Sequence, residues 1–234
     1  MRVLLAFDLA LSSLACKEKE MNYLIFTEVK KSNSQNNCRT TEEMLQKYPA
    51  TQGDCMLKLL FLDMDGAGAN SMTDIDAYWR KMEKKSLSLK AIQRAYDKKF
   101  NYGLEAIFPR KARLVSKIIA DTDAKIVWST TWRLCEPYKS NMQLTRRMLL
   151  KHNMPGDALI GYTPDLGPEA FRCQEITAFL AQHYPDQASC RCAVLDDWDE
   201  AGYELPGNCR FFQTNEQYGL TFSIARKIIK YLNA

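Results

Sequence analysis

Leu57-Lys58-Leu59-Leu60-Phe61-Leu62-Asp63-Met64-Asp65-Gly66 decides the reading of this chain. The run from Leu57 to Leu62 is apolar except for Lys58, which fits a strand buried on both faces of a parallel sheet. It stops at two carboxylates spaced by one residue, followed by a glycine. In open parallel sheets the space beyond the carboxyl ends of the strands is where ligands bind. Glycine at such a tip lets the chain turn sharply and lets backbone N–H groups come close to an anion.

Two further stretches repeat the arrangement downstream. Ala124 to Trp128 reads as a strand closed by Ser129-Thr130-Thr131, and Cys192 to Leu195 as a strand ending in Asp196-Asp197. Arg210 to Gln213 reads as a fourth strand. Between them lie helical patterns over Ala112–Ala120, Asn141–His152, Pro168–His183 and Thr221–Leu232, the first with Leu114, Val115, Ile118 and Ile119 on one face. Strands alternating with helices imply a three-layer, Rossmann-like α/β fold around a parallel sheet. Met56 opens this compact domain, 56–234. Residues 1–55 form an N-terminal extension of uncertain structure, with one candidate strand at Met21–Phe26 and a breaker-rich stretch from Ser32 to Thr41.

Composition is that of an ordinary globular chain: 234 residues, 46% hydrophobic and 26% charged. No apolar run approaches the ~20 residues of a membrane helix. The apolar N-terminus from Val3 to Ala15 is interrupted by Asp8 and preceded by a single Arg, a poor match to a secretory signal. The eight cysteines form no paired CxxC set, and Cys190-Arg191-Cys192 is a weak metal signal, so reduced thiols and a cytoplasmic location are expected. The net charge of +4 is unevenly spread: residues 79–113 carry eleven Lys/Arg against three acids, a balance of +8 that leaves −4 elsewhere. Such a segment suits an anionic partner or a solvated helical surface.

Each polar strand tip has a structural explanation by itself. Asp after a strand is often a turn or helix cap, and Ser-Thr-Thr is often an N-cap. Three tips in this order point to a shared site, and phosphoryl transfer fits their chemistry. A phosphate monoester repels a carboxylate nucleophile, and a hard cation on oxygen ligands removes that repulsion. Asp63 would attack phosphorus, while Asp65 would protonate the leaving oxygen and later deprotonate water.

FLDMDG, IVWSTTWR and VLDDWD, at residues 61–66, 126–133 and 194–199, resemble motifs of the haloacid dehalogenase (HAD) superfamily of phosphatases. With TPDLGPEAFRCQEITAFL (163–180) and FFQTNEQYGLT (211–221) added, the domain resembles the HAD domain associated with Swiss Army Knife RNA repair proteins. The resemblance covers Met56 to Ala234 and implies a Mg²⁺-dependent phosphatase with an aspartyl-phosphate intermediate. It makes Asp63 the nucleophile and Asp65 the acid/base, whose main-chain carbonyl also ligates Mg²⁺. It makes Ser129, with Thr130 as the one-residue alternative, the hydroxyl that binds phosphoryl oxygens, and Arg172 the cation that neutralises them. Asp196 and Asp197 are the remaining metal acids, with Asp197 favoured as the direct ligand. A small helical cap is expected at about 71–108.

Other residues are ambiguous. Arg133 could touch substrate or serve as an ion-pair partner, Trp132 reads as packing, and Asp199 as a helix cap in preference to a third metal acid. His152 and His183 have no matching partners. Three functions are compatible with these residues: a phosphomonoesterase on a phosphorylated small molecule, a polynucleotide end phosphatase, and a catalytically weak protein that holds phosphorylated ligands. The presence of every motif acid weighs against the last.

Overall fold

The computed structural model describes residues 56–85, 88–100, 106–139, 141–186 and 189–234. The extension at 1–55, with its candidate strand at Met21–Phe26, lies outside the described residues. Five parallel strands form one sheet: β1 (Leu57–Leu62), β2 (Lys125–Trp128), β3 (Leu159–Tyr162), β4 (Cys190–Asp196) and β5 (Cys209–Gln213). Their spatial order is β3-β2-β1-β4-β5. The chain therefore steps outward from β1 on one side, then returns to lay β4 against the other side of β1, in register from Leu57↔Cys190 to Leu62↔Leu195. That reversal is a topological switch point, where the crossover connections diverge and leave a crevice above the strand tips. The DMD of β1 and the DD of β4 meet there.

The pleat explains the layers, because successive side chains leave a strand on opposite faces. Leu60 and Leu62 pack into one core with Val115 and Ile118 of α3 (Pro109–Thr122), Leu149 of α4 (Met142–Lys151) and Ile228 of α6 (Phe222–Leu232). Leu59 and Phe61 enter the other core with Ile176, Phe179 and Leu180 of α5 (Arg172–His183). All four strand residues are fully buried, each stabilising the fold by roughly 1.5–3 kcal/mol. Helix starts are chemically marked. Pro109 opens α3, the Asn141 side chain accepts from Leu144 N–H to open α4, and the Thr221 hydroxyl accepts from Ile224 N–H to open α6.

Three expectations are corrected. Leu159–Tyr162 is a strand that the sequence reading passed over, since four residues at a sheet edge carry too little pattern to register. The helix expected from Pro168 begins only at Arg172: Phe171 is extended (φ −76°, ψ 152°), and its N–H donates to the Gln174 side chain. The segment expected as a small helical cap at about 71–108 contains two separate helices, α1 (Met72–Glu83) and α2 (Leu89–Phe100).

These two helices form the small cap. Tyr78 and Trp79 of α1 pack on Tyr96 of α2, with ring centroids 5.5 and 6.1 Å apart, and Ile92 is fully buried. The base of α1 is tied to the loop after β5. Met72 N–H donates to Glu216 O (3.0 Å), and the Thr73 hydroxyl to Gln217 O (2.6 Å). Lys111 is buried at this junction, bonding the carbonyls of Tyr218 and Leu220 and lying 3.5 Å from Asp74. One of the eleven basic residues is thus structural. Among the described residues no helix is long and apolar enough to cross a membrane.

Candidate active site

Strand β1 delivers Asp63 to the crevice, and β4 delivers Asp196 and Asp197. Asp63 N–H donates to Leu195 O at 3.0 Å, which fixes the two tips side by side. One carboxylate oxygen from each of Asp63, Asp196 and Asp197 lies within 4.8 Å of the others. Three carboxylates so close repel one another when ionised. Burial, then the charge of Asp196, hold the Asp63 carboxyl well above the ordinary carboxylate range, while Arg172 pulls the other way. Burial is also the first cause for Asp196 and Asp197, each pushed up to about 6.

Among the described residues, the guanidinium that faces this cluster is that of Arg172. Arg172, the first residue of α5, lies 3.9 Å from Asp63 Oδ1 and 3.5 Å from Asp196 Oδ2. The late start of α5 puts this side chain at the helix mouth, beside the strand tips. Glu175, one turn on, is 3.6 Å from Arg172 and 2.5 Å from Arg133. Arg133 is buried and otherwise spent on backbone, donating to the carbonyls of Thr130 (2.7 Å), Thr163 (3.0 Å) and Pro164 (3.3 Å). It is a structural brace between the β2 and β3 tips, the second of its two sequence readings.

Asp65 sits apart from the three-carboxylate group. Its residue surface is exposed, yet its carboxyl group is enclosed by two donors, Trp132 Nε1 on Oδ2 (2.6 Å) and Asn70 Nδ2 on Oδ1 (2.7 Å). Burial raises its pKa, and the two hydrogen bonds oppose that rise. The Asn70 side chain also accepts from Gly66 N–H (3.2 Å), so one amide sets both the turn and the acid. Gly66 has φ +61°, a left-handed conformation that disfavours any side chain, and its carbonyl accepts from the Thr214 hydroxyl at 2.9 Å.

The β2 tip separates two adjacent hydroxyls. Thr130 is fully buried and its hydroxyl accepts from Trp132 N–H (3.4 Å), the N-cap role open to any Ser-Thr pair. Ser129 is 1% exposed, and its hydroxyl has no hydrogen-bond partner. Its N–H donates to Leu62 O, one residue before Asp63. Asp199 opens a short 3-10 turn and accepts from Tyr203 OH (3.2 Å), outside the carboxylate group. His183 packs its ring on Phe179, 4.7 Å between centroids.

Sequence reasoning missed Asn70, Glu175 and Thr214, and it took Trp132 for packing alone. Thr214 follows β5, so the strand-tip rule applied once more leads to it. Asn70 and Glu175 carry no local signal, since their partners lie on other elements. The cap approaches the same mouth: Tyr96 is pushed up to about 12, first by burial and then by the charge of Asp65.

The donor set is hard oxygen with raised pKa values and one guanidinium, an arrangement that suits a divalent cation and an anionic ligand together. Residues 59–223, which span every site residue from Asp63 to Thr214, match the family described as the HAD domain in Swiss Army Knife RNA repair proteins. No curated protein and no solved structure matches the chain.

Proposed function

The chain belongs to the family of HAD domains in Swiss Army Knife RNA repair proteins, and from that premise we propose that it hydrolyses phosphate monoesters through an aspartyl-phosphate on Asp63. The observation that carries this reading is the convergence of Asp63, Asp196 and Asp197 within 4.8 Å, faced by Arg172 at 3.9 and 3.5 Å. Carboxylates alone would repel a phosphate, and a guanidinium alone would bind one without offering a nucleophile.

Mg²⁺ would be held by Asp63, Asp197 and the Asp65 main-chain carbonyl, with Asp196 direct or through water; when bound it neutralises the carboxylates and the phosphoryl oxygens. The chain's own groups do the rest. Arg172 and the unpartnered Ser129 hydroxyl orient the phosphoryl group, with the Thr130 hydroxyl as the alternative donor. An Asp63 oxygen forms the bond to phosphorus as the ester oxygen departs. Asp65, which burial favours in its protonated form, gives that oxygen its proton. Asp65 then takes a proton from the water that attacks phosphorus, releasing inorganic phosphate and restoring Asp63. Trp132 and Asn70 hold the Asp65 carboxyl for both transfers.

The unbridged thiols of Cys173, Cys190, Cys192 and Cys209 suit a cytoplasmic setting, which is part of this reading. The substrate is a phosphorylated small molecule, or, as a second reading favoured by the exposed cations Arg80, Lys81, Lys84 and Lys85 of the cap, a nucleic-acid end. The test is turnover of an aryl phosphate with Mg²⁺ and with chelator, followed by a screen of nucleotides, sugar phosphates, phosphopeptides and phosphorylated oligonucleotides. Metal-dependent release of phosphate supports the proposal. Ligand binding without any turnover supports instead a protein that only holds phosphorylated ligands.

A further inference from the structure

The basic segment of the sequence does not stay together in space. Its last part, with Arg110 and Arg113, lies on α3, in the layer that packs against the sheet, and α6 lies beside it. Helix α6 carries Arg226, Lys227 and Lys230 and no acid, and all three are exposed. Cations three and four residues apart on one helix repel each other. Between the two helices runs a groove of about 620 Å³ lined by Lys117, Asp121, Phe222, Arg226, Lys227 and Lys230 among others. Asp121 is engaged by Lys117 at 2.8 Å, which leaves the α6 side of the groove with uncompensated positive charge.

An aromatic ring stands at one end of it. Phe222 is 54% exposed, and the Arg226 guanidinium lies over its ring at 6.0 Å. Phe222 also follows directly on the loop that shapes the active site, whose Thr214 hydroxyl bonds Gly66 O and whose Leu220 N–H bonds Ala67 O. Phe222, which lines the groove, is thus two residues from a loop position that contacts the turn after β1.

We propose that the groove between α3 and α6 binds a single strand of nucleic acid, with Arg226, Lys227 and Lys230 on its phosphates and Phe222 stacked on a base. A row of cations alone would suit any polyanion. An exposed ring beside the cations adds a platform on which a base can stack, the combination of cations and aromatic rings that single strands use. The surface is distinct from the catalytic residues. Only its use in presenting a strand end to Asp63 rests on the phosphatase reading.

The test is fluorescence anisotropy of a labelled twelve-nucleotide strand without terminal phosphate, so that binding does not depend on turnover. The intact protein, Phe222→Ala and the pair Arg226→Glu/Lys230→Glu are compared across a salt series. The charge-reversed pair is expected to lower the log–log salt slope by about 1.4, at ~0.7 per lost phosphate contact. Phe222→Ala is expected to weaken binding roughly tenfold with the salt slope unchanged, as loss of one stacked base does. Aryl phosphate turnover should be unaltered in both, and their melting temperatures should match the parent. Unchanged affinity in the charge-reversed pair overturns the proposal. So does equal binding of polyglutamate or of phosphatidylserine vesicles with no effect of Phe222→Ala. If the parent hydrolyses no phosphate at all yet binds the strand through this groove, the phosphatase reading fails and the groove stands.

Discussion

Trp132 Nε1 donates to Asp65 Oδ2 at 2.6 Å, so the indole acts on the acid that the strand tip presents as well as packing edge-on against Trp128. Trp132→Phe keeps the ring and removes the donor. Because that hydrogen bond favours the ionised carboxyl, its loss should move the Asp65 titration further upward. The expected result is about a tenfold fall in kcat, part of the 10²–10⁴ that a positioned acid/base supplies, with the kcat–pH profile displaced to higher pH. A fall in kcat with an unmoved profile would make Trp132 a packing residue only.

Asp63→Asn should abolish turnover, by at least 10³-fold, since the amide cannot form the acyl phosphate. Its fold should survive, because the side chain is nearly isosteric and removes a buried charge that burial and Asp196 already oppose. Turnover within tenfold of the parent would remove Asp63 from the nucleophile role.

The acid cluster predicts how stability responds to pH and metal. Asp196 and Asp197 titrate at about 6 in the folded protein, against about 3.9 in an unfolded chain. Between those values the folded state holds protons that the unfolded state has released, so metal-free stability falls as pH rises from roughly 4 to 6. A cation held by these carboxylates requires them ionised, so on the proposed reading stabilisation by Mg²⁺ should be larger at pH 7 than at pH 5. At a concentration of 100 times Kd it amounts to about 2.7 kcal/mol, several degrees in Tm. Asp197→Asn should lose most of that shift. Melting curves with Mg²⁺ and with chelator at both pH values decide it, and a Tm indifferent to millimolar Mg²⁺ at pH 7, with metal-independent activity, sinks the shared site.

Gly66 tests the same cluster from the backbone side. A Cβ at Gly66 would collide with the Asp197 carboxylate, and φ there is +61°. Gly66→Ala should therefore destabilise the fold by about 1–2 kcal/mol of left-handed strain, seen as a lower melting temperature, and should also blunt the Mg²⁺ response by displacing Asp197. A variant with lower stability but an intact Mg²⁺ shift would separate the turn from the metal site.

The cap cations are a separate prediction. Arg80 with Lys84, and Lys81 with Lys85, are one turn apart in and just beyond α1, and all four are exposed. Reversing Arg80 and Lys84 to Glu should reduce kcat/KM and salt sensitivity for a phosphorylated oligonucleotide and leave an aryl phosphate unaffected. An equal response of both substrates makes the cap face a solvated surface.

Much of this protein was legible in its sequence because its signals are local. A strand buried on both faces must be apolar at nearly every position, so Leu57–Leu62 and the β4 stretch stand out, and strand tips in parallel sheets gather ligands wherever they occur. Asp63, Ser129, Arg172, Asp196 and Asp197 follow from that rule and the motif resemblance. Signals that need a partner were silent. Trp132 reads as packing until Asp65 is brought beside it from 67 positions away, and Ser129 and Thr130 are equivalent until one hydroxyl is seen capping Trp132 and the other is left without a partner.

The charge run shows the division most sharply. That cations concentrate in residues 79–113 can be counted from the chain alone, because charge is additive along it. Their uses depend on how the elements pack. Packing buries Lys111 as a latch on two carbonyls and leaves the α1 cations exposed on the cap, while a second basic surface, outside that segment, arises where Lys117 of α3 meets Arg226, Lys227 and Lys230 of α6. Burial and proximity belong to packing between elements, and sheet order, in which β4 returns to the side of β1 opposite β2, fixes which elements meet.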